Sequence, residues 1–206
     1  MTSILPEHGR DPEELGTLLT EWQTGDIDWK GGRAVSLVYN ADDPALEALQ
    51  HDVADRFLHE NALNPFVYPS LLRMEQEVVA VAAELFGTDP KAGTMTSGGT
   101  ESIFLAVYTA REAARDRGVD RPQLVLPSTA HPAFTKAAHY HGVEELRVPV
   151  GSDLRAVVAA TAEQLGPPMA LVGGSAPSNP YGIIDPNTDL AALAHPHGTL
   201  CHVDAC

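Results

Sequence analysis

The sequence predicts an α/β fold in which helices cover both faces of a mostly parallel β-sheet, preceded by a helical N-terminal segment. Two observations support this class. From Gly93 onward, short apolar runs alternate with helical stretches, as in right-handed crossovers between parallel strands. Before that point, apolar residues recur at helical spacing. We therefore expect a helical segment over residues 1–90 and the first part of an α/β domain over residues 91–206.

The N-terminal segment should contain three helices. Apolar residues recur at helical spacing within residues 11–24, 43–61 and 70–86. Between the second and third of these, residues 64–70 contain two prolines, which exclude a central strand and predict an irregular segment.

The remainder should contain four strands and four helices. Strands are expected over residues 123–126, 146–150, 169–173 and 199–203. Helices are expected over residues 99–117, 132–140, 152–164 and 186–194, with Ser152 or Asp153 as a cap for the third. Because the alternation would supply another helix after the last strand, we expect the domain to be incomplete at Cys206.

Composition and charge exclude several classes of partner. The 206 residues carry a formal net charge of −15, which argues against nucleic acids and anionic membranes, since these require basic patches. No apolar run reaches the roughly 18 residues of a membrane span, and residues 1–7 do not resemble a signal peptide. We expect a cytoplasmic protein. Cys201 and Cys206 should be small, reduced core residues, and no metal site is expected.

A glycine turn opens the helix expected at residues 99–117. Ser97, Gly98, Gly99 and Thr100 supply backbone N–H groups at a helix start, where the unpaired amides and the helix dipole favour an anion such as a phosphate. The turn matches neither G-x-G-x-x-G nor a P-loop. Taken alone, it could also be an ordinary helix-entry turn.

A single carboxylate, Asp204, follows the last predicted strand. It lies on the edge at which open α/β sheets bind ligands, although an aspartate there can also simply end a strand. Beside a pyridine nitrogen, the carboxylate would keep that nitrogen protonated. A phosphate turn and such an acid together point to pyridoxal phosphate (PLP), whose protonated ring acts as an electron sink.

His131 follows the strand expected at residues 123–126 and precedes a helix. It could stack on a flat heteroaromatic ring at the same sheet edge, or it could cap the helix. Lys136 lies within that helix beside two alanines, and we interpret it as a structural residue rather than a cofactor lysine.

Five ordered blocks then carry a resemblance to a known family. They are residues 64–69 with 74–79, then 96–103, 130–138, 180–186 and 202–206. Through these blocks the chain resembles, from about Gly31 to Cys206, the sphingosine-1-phosphate lyases and their bacterial relatives. These enzymes belong to the PLP-dependent decarboxylase branch of the fold-type I enzymes.

The resemblance implies roles for individual residues. Gly98, Gly99 and Thr100 would hold the cofactor phosphate, His131 would stack on the ring, and Asp204 would pair with its nitrogen. His202 and Ser175 would be near neighbours of the cofactor. The Schiff-base lysine of the family follows a histidine some tens of residues beyond the final cysteine, so we expect it outside this chain.

The early loop departs from the family pattern. The loop that carries Asn64 and Tyr68 is expected to contact the substrate, but Asn64 stands where the family has a histidine and Phe66 where it has an aspartate. An asparagine can form hydrogen bonds but is not a general base near neutral pH. This departure, and a second one at residues 178–181, argues against a phosphorylated sphingoid base as the substrate.

Three hypotheses for function follow. The first is a PLP-dependent carbon–carbon lyase that acts on an amine substrate, and the second is an amino-acid α-decarboxylase on the same scaffold. The third is a catalytically inactive fragment or binding protein, because the chain lacks the Schiff-base lysine. The resemblance further implies a homodimer with the active site at the subunit boundary.

Overall fold

A computed structural model describes residues 8–34 and 38–206 of the protein. Residues 1–7, on which the expected lack of a signal peptide depends, lie outside the described residues. The chain divides into two compact units, residues 1–74 and 75–206.

The N-terminal helices form where the sequence predicts them. They are α1 (Pro12–Gln23), α2 (Pro44–Arg56) and α3 (Pro69–Leu85). Asp11 and Asp43 cap the first two, each accepting hydrogen bonds from two backbone N–H groups of the first turn, with a proline at the first helical position. Helix α2 ends earlier than the expected residue 61. The sequence places the division between segments at residue 90, beyond the end of α3, whereas the two compact units divide after residue 74, within α3.

The second unit contains every strand and helix that the sequence predicts for it. In chain order these are α4 (Gly99–Asp116), β1 (Gln123–Pro127), α5 (Ala133–His141), β2 (Glu144–Val148), α6 (Val158–Ala162), β3 (Met169–Ser175), α7 (Asn187–Ala194) and β4 (Leu200–Asp204). The strands pair in parallel in the order β2-β1-β3-β4.

Helices cover both faces of this sheet, as predicted. On one face, Leu124 and Leu126 of β1 pack with Phe134 of α5 and with apolar residues of α4. On the other face, Val125 packs with Leu190 of α7 and with residues of α6. The alternation along β1 follows the two-residue repeat of a strand, so a continuously apolar run is buried on both sides.

Two consecutive glycines let Leu126 of β1 and Asn187 of α7 approach β3 closely. A Cβ on Gly173 would lie 2.3 Å from Cδ2 of Leu126, and a Cβ on Gly174 would lie 2.2 Å from Oδ1 of Asn187. Any side chain here would push apart the packing on both faces. The glycines therefore belong to the core of the fold near the site.

Helix α6 is much shorter than the helix predicted over residues 152–164. It begins only at Val158, and neither Ser152 nor Asp153 caps it, so that prediction is wrong. The preceding residues form a turn in which Leu154 has a φ of 64° and the Asp153 carboxylate accepts a hydrogen bond from the backbone N–H of Arg155. A left-handed residue interrupts a right-handed helix, which explains the late start.

The two cysteines are free thiols. Cys201 is partly buried against the α6/α7 face, where burial raises the pKa of its thiol. Cys206 is exposed, so the prediction that both are core residues is wrong for this one. It lies beyond the last residue of β4, where the packing of the sheet ends. Among the described residues, no helix is long and apolar enough to span a membrane.

Candidate functional site

The carboxyl ends of the parallel strands bring predicted site residues to one edge of the sheet. Ser175 ends β3 and Asp204 ends β4, and the two are paired in the strand register. The carbonyl oxygen of Asp204 accepts a hydrogen bond of 2.8 Å from the backbone N–H of Ala176. The loop with His131 leaves the same edge, after β1. This is the edge at which open parallel sheets bind ligands.

His202 lies on the same face of β4 as Asp204, because residues two apart in a strand share a face. Its ring meets the ring of Phe134 edge to face, with 5.8 Å between the centroids. Burial lowers the pKa of His202, and the nearby negative charge of Asp204 partly opposes this shift. The imidazole therefore packs as a neutral group against α5 and supports the strand end that carries Asp204.

The glycine turn before α4 is held by its own side chains. The hydroxyls of Thr96 and Ser102 are 2.7 Å apart, and the Glu101 carboxylate accepts a hydrogen bond of 2.6 Å from the Ser97 N–H. That hydrogen bond lowers the pKa of Glu101. At Gly98, φ is 156° and ψ is 175°, a combination that is essentially confined to glycine. The first N–H groups of α4 have no intrahelical acceptor and can bind an anion.

This turn contacts the chain just beyond Asp204. A Cβ built on Gly99 would lie 3.5 Å from Sγ and 3.8 Å from Cβ of Cys206. The glycine turn and the end of β4 are thus neighbours in space, although about a hundred residues separate them in sequence. A ligand with a phosphate at one end and a basic ring nitrogen at the other could span the turn and the carboxylate.

The His131 ring has a defined orientation. Its Nδ1 accepts a hydrogen bond of 3.1 Å from the backbone N–H of Ala133, in the first turn of α5. Pro132, not His131, stands at the cap position of α5, but the His131 ring does accept a hydrogen bond from the N–H of the first helical residue. Lys136 points elsewhere: its Nζ lies 5.8 Å from the ring centroid of Phe104 and 5.9 Å from that of Tyr140. The structural interpretation of Lys136 agrees with these contacts.

A cleft of about 280 Å³ opens beside His131. The loop after β1, including Thr129, forms one wall, and residues 179–181 form the other. Within the described part of the chain, the buried hydroxyls of Thr129 and Ser178 have no hydrogen-bond partner. An unpaired buried hydroxyl is costly, so the Thr129 hydroxyl, whose residue lines the cleft, is available to a polar ligand; Ser178 is not one of the lining residues.

Sequence reasoning missed one residue at this edge, Asp185. It is buried, and its carboxylate accepts hydrogen bonds of 2.8 Å from the N–H groups of Ala156 and Ser175. Asn187 adds a hydrogen bond of 3.0 Å to the Ser175 carbonyl. Asp185 lies within the block at residues 180–186, and this was the signal by which the sequence could have identified it. Its partners are distant in sequence, so its role could not be inferred there.

The two residues predicted to contact substrate lie in the first unit, residues 1–74. The Asn64 side chain accepts a hydrogen bond of 3.0 Å from the Phe66 N–H, and its carbonyl accepts one of 3.0 Å from the Val67 N–H. Asn64 thus stabilises its own loop, and Tyr68 begins the approach to α3. Their part in substrate binding stays a prediction.

A sequence profile decides the family. The profile of the class-V aminotransferases matches residues 73–206, which include all of the sheet and the glycine turn. The chain belongs to the aminotransferase class-V family.

Individual relatives are longer than this chain. It is 38% identical over 214 residues to the sphingosine-1-phosphate lyase of Arabidopsis thaliana, covering 100% of this chain and 39% of that protein. It is 40% identical over 154 residues to a probable L-aspartate decarboxylase of Haloarcula marismortui, covering 75% of this chain and 43% of that protein. The chain thus spans less than half the length of either relative.

A solved structure confirms the predicted fold class. The sphingosine-1-phosphate lyase of Burkholderia pseudomallei superposes with a TM-score of 0.83 at 30% identity, covering 98% of this chain and 49% of that one. The mostly parallel sheet of this class-V protein is therefore that of the fold-type I enzymes, and the recognition made from the five blocks is confirmed.

Proposed function

We propose that this chain provides the cofactor-binding part of a PLP-dependent carbon–carbon lyase that acts on an amine substrate. One observation carries the proposal: the anion-binding turn at Gly98 and Gly99 lies against the end of the strand that presents Asp204. Similarity to sphingosine-1-phosphate lyases over the length of the chain supports the reaction class.

The residues present fit PLP. Free amides at the start of α4 suit a phosphate, and Gly98 and Gly99 leave no side chain over them. Asp204 ends a strand on the same edge and suits a protonated pyridine nitrogen. His131 follows β1 with its ring orientation fixed by Ala133, which suits a ring-stacking role. A phosphate-binding turn, an acid and a flat ring are three of the contacts that hold this cofactor, and the Schiff-base lysine implied by the resemblance is a fourth that is expected outside this chain.

Each residue then has a definite task. The amides of Gly98 to Thr100 bind the phosphate, with Ser97 beside them. Asp204 holds a proton on the ring nitrogen. His202 and Ser175 support the ends of β4 and β3, which fix the position of the Asp204 carboxylate. When bound, PLP would supply an electron sink for the bond that breaks at the amine-bearing carbon of the substrate. His131 packs on the ring and excludes water from that face.

An amino-acid α-decarboxylase is the second candidate. The similarity to a probable L-aspartate decarboxylase favours it. Asn64, which stands where the resemblance implies a histidine, argues against a phosphorylated sphingoid base as the substrate. The cofactor contacts are common to both reactions and do not separate them. The products do: a lyase releases an aldehyde, whereas a decarboxylase releases CO2 and leaves a primary amine.

Two experiments test the proposal. Fluorescence titration of the purified chain with PLP should show saturable binding that the Asp204→Asn variant weakens. Saturable binding that the variant leaves unchanged would overturn the proposed site. Product analysis of a PLP-loaded form extended to include the Schiff-base lysine, with phosphorylated amino alcohols and with amino acids as substrates, then distinguishes aldehyde release from CO2 release.

We also propose that the protein is cytoplasmic and acts as a homodimer. The free thiols of Cys201 and Cys206 support a reducing compartment. Exposed apolar side chains support a partner surface, among them Leu63 at 92% and Phe66 at 94% exposure. Light scattering on the purified protein would report its molar mass, and the mass of a monomer at micromolar concentration would contradict the dimer.

A further inference from the structure

Arg147, on the edge strand β2, binds the turn that precedes His131. Its Nη1 donates to the carbonyl oxygens of Pro127, at 2.9 Å, and Ala130, at 3.0 Å. The Ala130 N–H also donates to the Pro127 carbonyl at 3.0 Å. One guanidinium nitrogen therefore joins both ends of the turn, and the second carbonyl belongs to the peptide bond that leads into His131.

The rest of the guanidinium is fixed by α5 and β2. Nη2 donates to Oγ1 of Thr135 at 3.0 Å, and Nε donates to the carboxylate of Glu145. The Thr135 hydroxyl in turn donates to the same carboxylate oxygen at 3.0 Å. The side chains of Arg147 and Glu145 are only 28% and 14% exposed. The planar guanidinium of arginine can donate to all of these acceptors at once, whereas the compact ammonium group of a lysine cannot reach all of them.

The His131 ring depends on the geometry that this network sets. The ring is held to α5 through Ala133, and its backbone follows the turn that Arg147 closes. Thr135 links Arg147 to the same helix. We propose that Arg147 is a positioning residue for His131: it fixes the turn against α5 so that the imidazole stays in one orientation at the sheet edge. The purpose of that orientation, to lie over a flat cofactor ring, rests on the proposed function; the geometry does not.

Histidine NMR tests the positioning role without cofactor. In the ¹⁵N-histidine-labelled chain at mildly alkaline pH, Nδ1 and Nε2 of His131 should show widely separated shifts, because Nδ1 is held as an acceptor. A His131→Asn sample identifies the signal. Arg147→Met and Arg147→Lys should reduce the separation, since the ring gains alternative orientations. Arg155→Met is the matched control: Arg155 is exposed and pairs only with the exposed Asp153 among the described residues, so its removal should leave the signal unchanged.

Arg147→Lys guards against a general loss of structure. It keeps the positive charge beside Glu145 and should retain the circular dichroism spectrum and the thermal midpoint more closely than Arg147→Met. If it still changes the His131 shifts, and weakens PLP binding about tenfold, the positioning role is supported. If Arg147→Lys folds and leaves the His131 shifts as in the unmodified chain, the role is overturned. A chain that does not bind PLP, but whose His131 shifts respond to Arg147, overturns the proposed function and keeps the positioning role.

Discussion

Ser175 and Asp204 are cross-strand neighbours at the carboxyl ends of β3 and β4, in register and joined beyond the strands by the hydrogen bond from Ala176 to the Asp204 carbonyl. Partners in a parallel pair share a face, so the hydroxyl and the carboxylate belong to one surface of the sheet. The Asp185 carboxylate in turn accepts a hydrogen bond from the backbone N–H of Ser175. The position of the proposed catalytic acid is thus fixed by the sheet and by a buried carboxylate rather than by a loop.

Asp204→Asn should weaken PLP binding and leave the fold intact. Asparagine has the same shape but no charge, so the charge-assisted interaction with a ring nitrogen is lost. We expect affinity to fall about tenfold, which corresponds to about 1.4 kcal/mol. Fluorescence titration measures it. The control is Asp189→Asn, which removes an exposed carboxylate from the first turn of α7 and should bind as the unmodified chain does.

The two glycines of the turn should respond differently to alanine. At Gly98 the backbone lies where L-residues are strained, so Gly98→Ala should lower the free energy of unfolding by about 1–3 kcal/mol. At Gly99 a Cβ would make ordinary contact with Cys206, so Gly99→Ala should leave stability unchanged while its methyl group weakens phosphate binding. Denaturant unfolding and PLP titration of both variants check this pair. Equal stability of the two variants would argue against the strained turn.

Asp185→Asn should destabilise the second unit. The amide can accept only one of the two backbone hydrogen bonds and places a donor against the other N–H. Leaving a buried donor unpaired costs about 1–3 kcal/mol. Asp153→Asn, with a side chain that is 65% exposed, is the control and should cost far less. Thermal unfolding of both variants separates the two cases, and similar midpoints would contradict a structural role for Asp185.

Stability should fall on the acid side of neutrality because of His202. Its folded pKa is lowered, mainly by burial, so the unfolded chain binds a proton more readily than the folded chain. The contribution is complete above the unfolded pKa, near the ordinary value of about 6.5, and is lost as the pH falls through that value toward the folded one. His202→Asn should flatten this part of the profile of unfolding free energy against pH. The exposed His197→Asn control should retain it.

Much of the fold was accessible from sequence because the sheet is regular. Apolar runs such as residues 169–173 are buried on both faces and are recognisable without a structure. The glycine turn and Asp204 could be named because their positions, at a helix start and a strand end, limit what they can do. Helix α6 could not be predicted correctly, because the left-handed Leu154 that delays it follows from a local turn and not from apolar spacing.

By itself, the sequence determined the class of fold and the order of its elements, and it predicted the glycine turn, His131 and Asp204 as cofactor contacts, since each of these depends on local pattern or on family blocks. Only the tertiary structure decided which distant groups meet. It brings the Gly99 turn to Cys206, encloses the Asp185 carboxylate between two backbone amides, and places Arg147 on the turn before His131. These are contacts between residues far apart in the chain, and they depend on strand order and register, which spacing along a sequence does not encode.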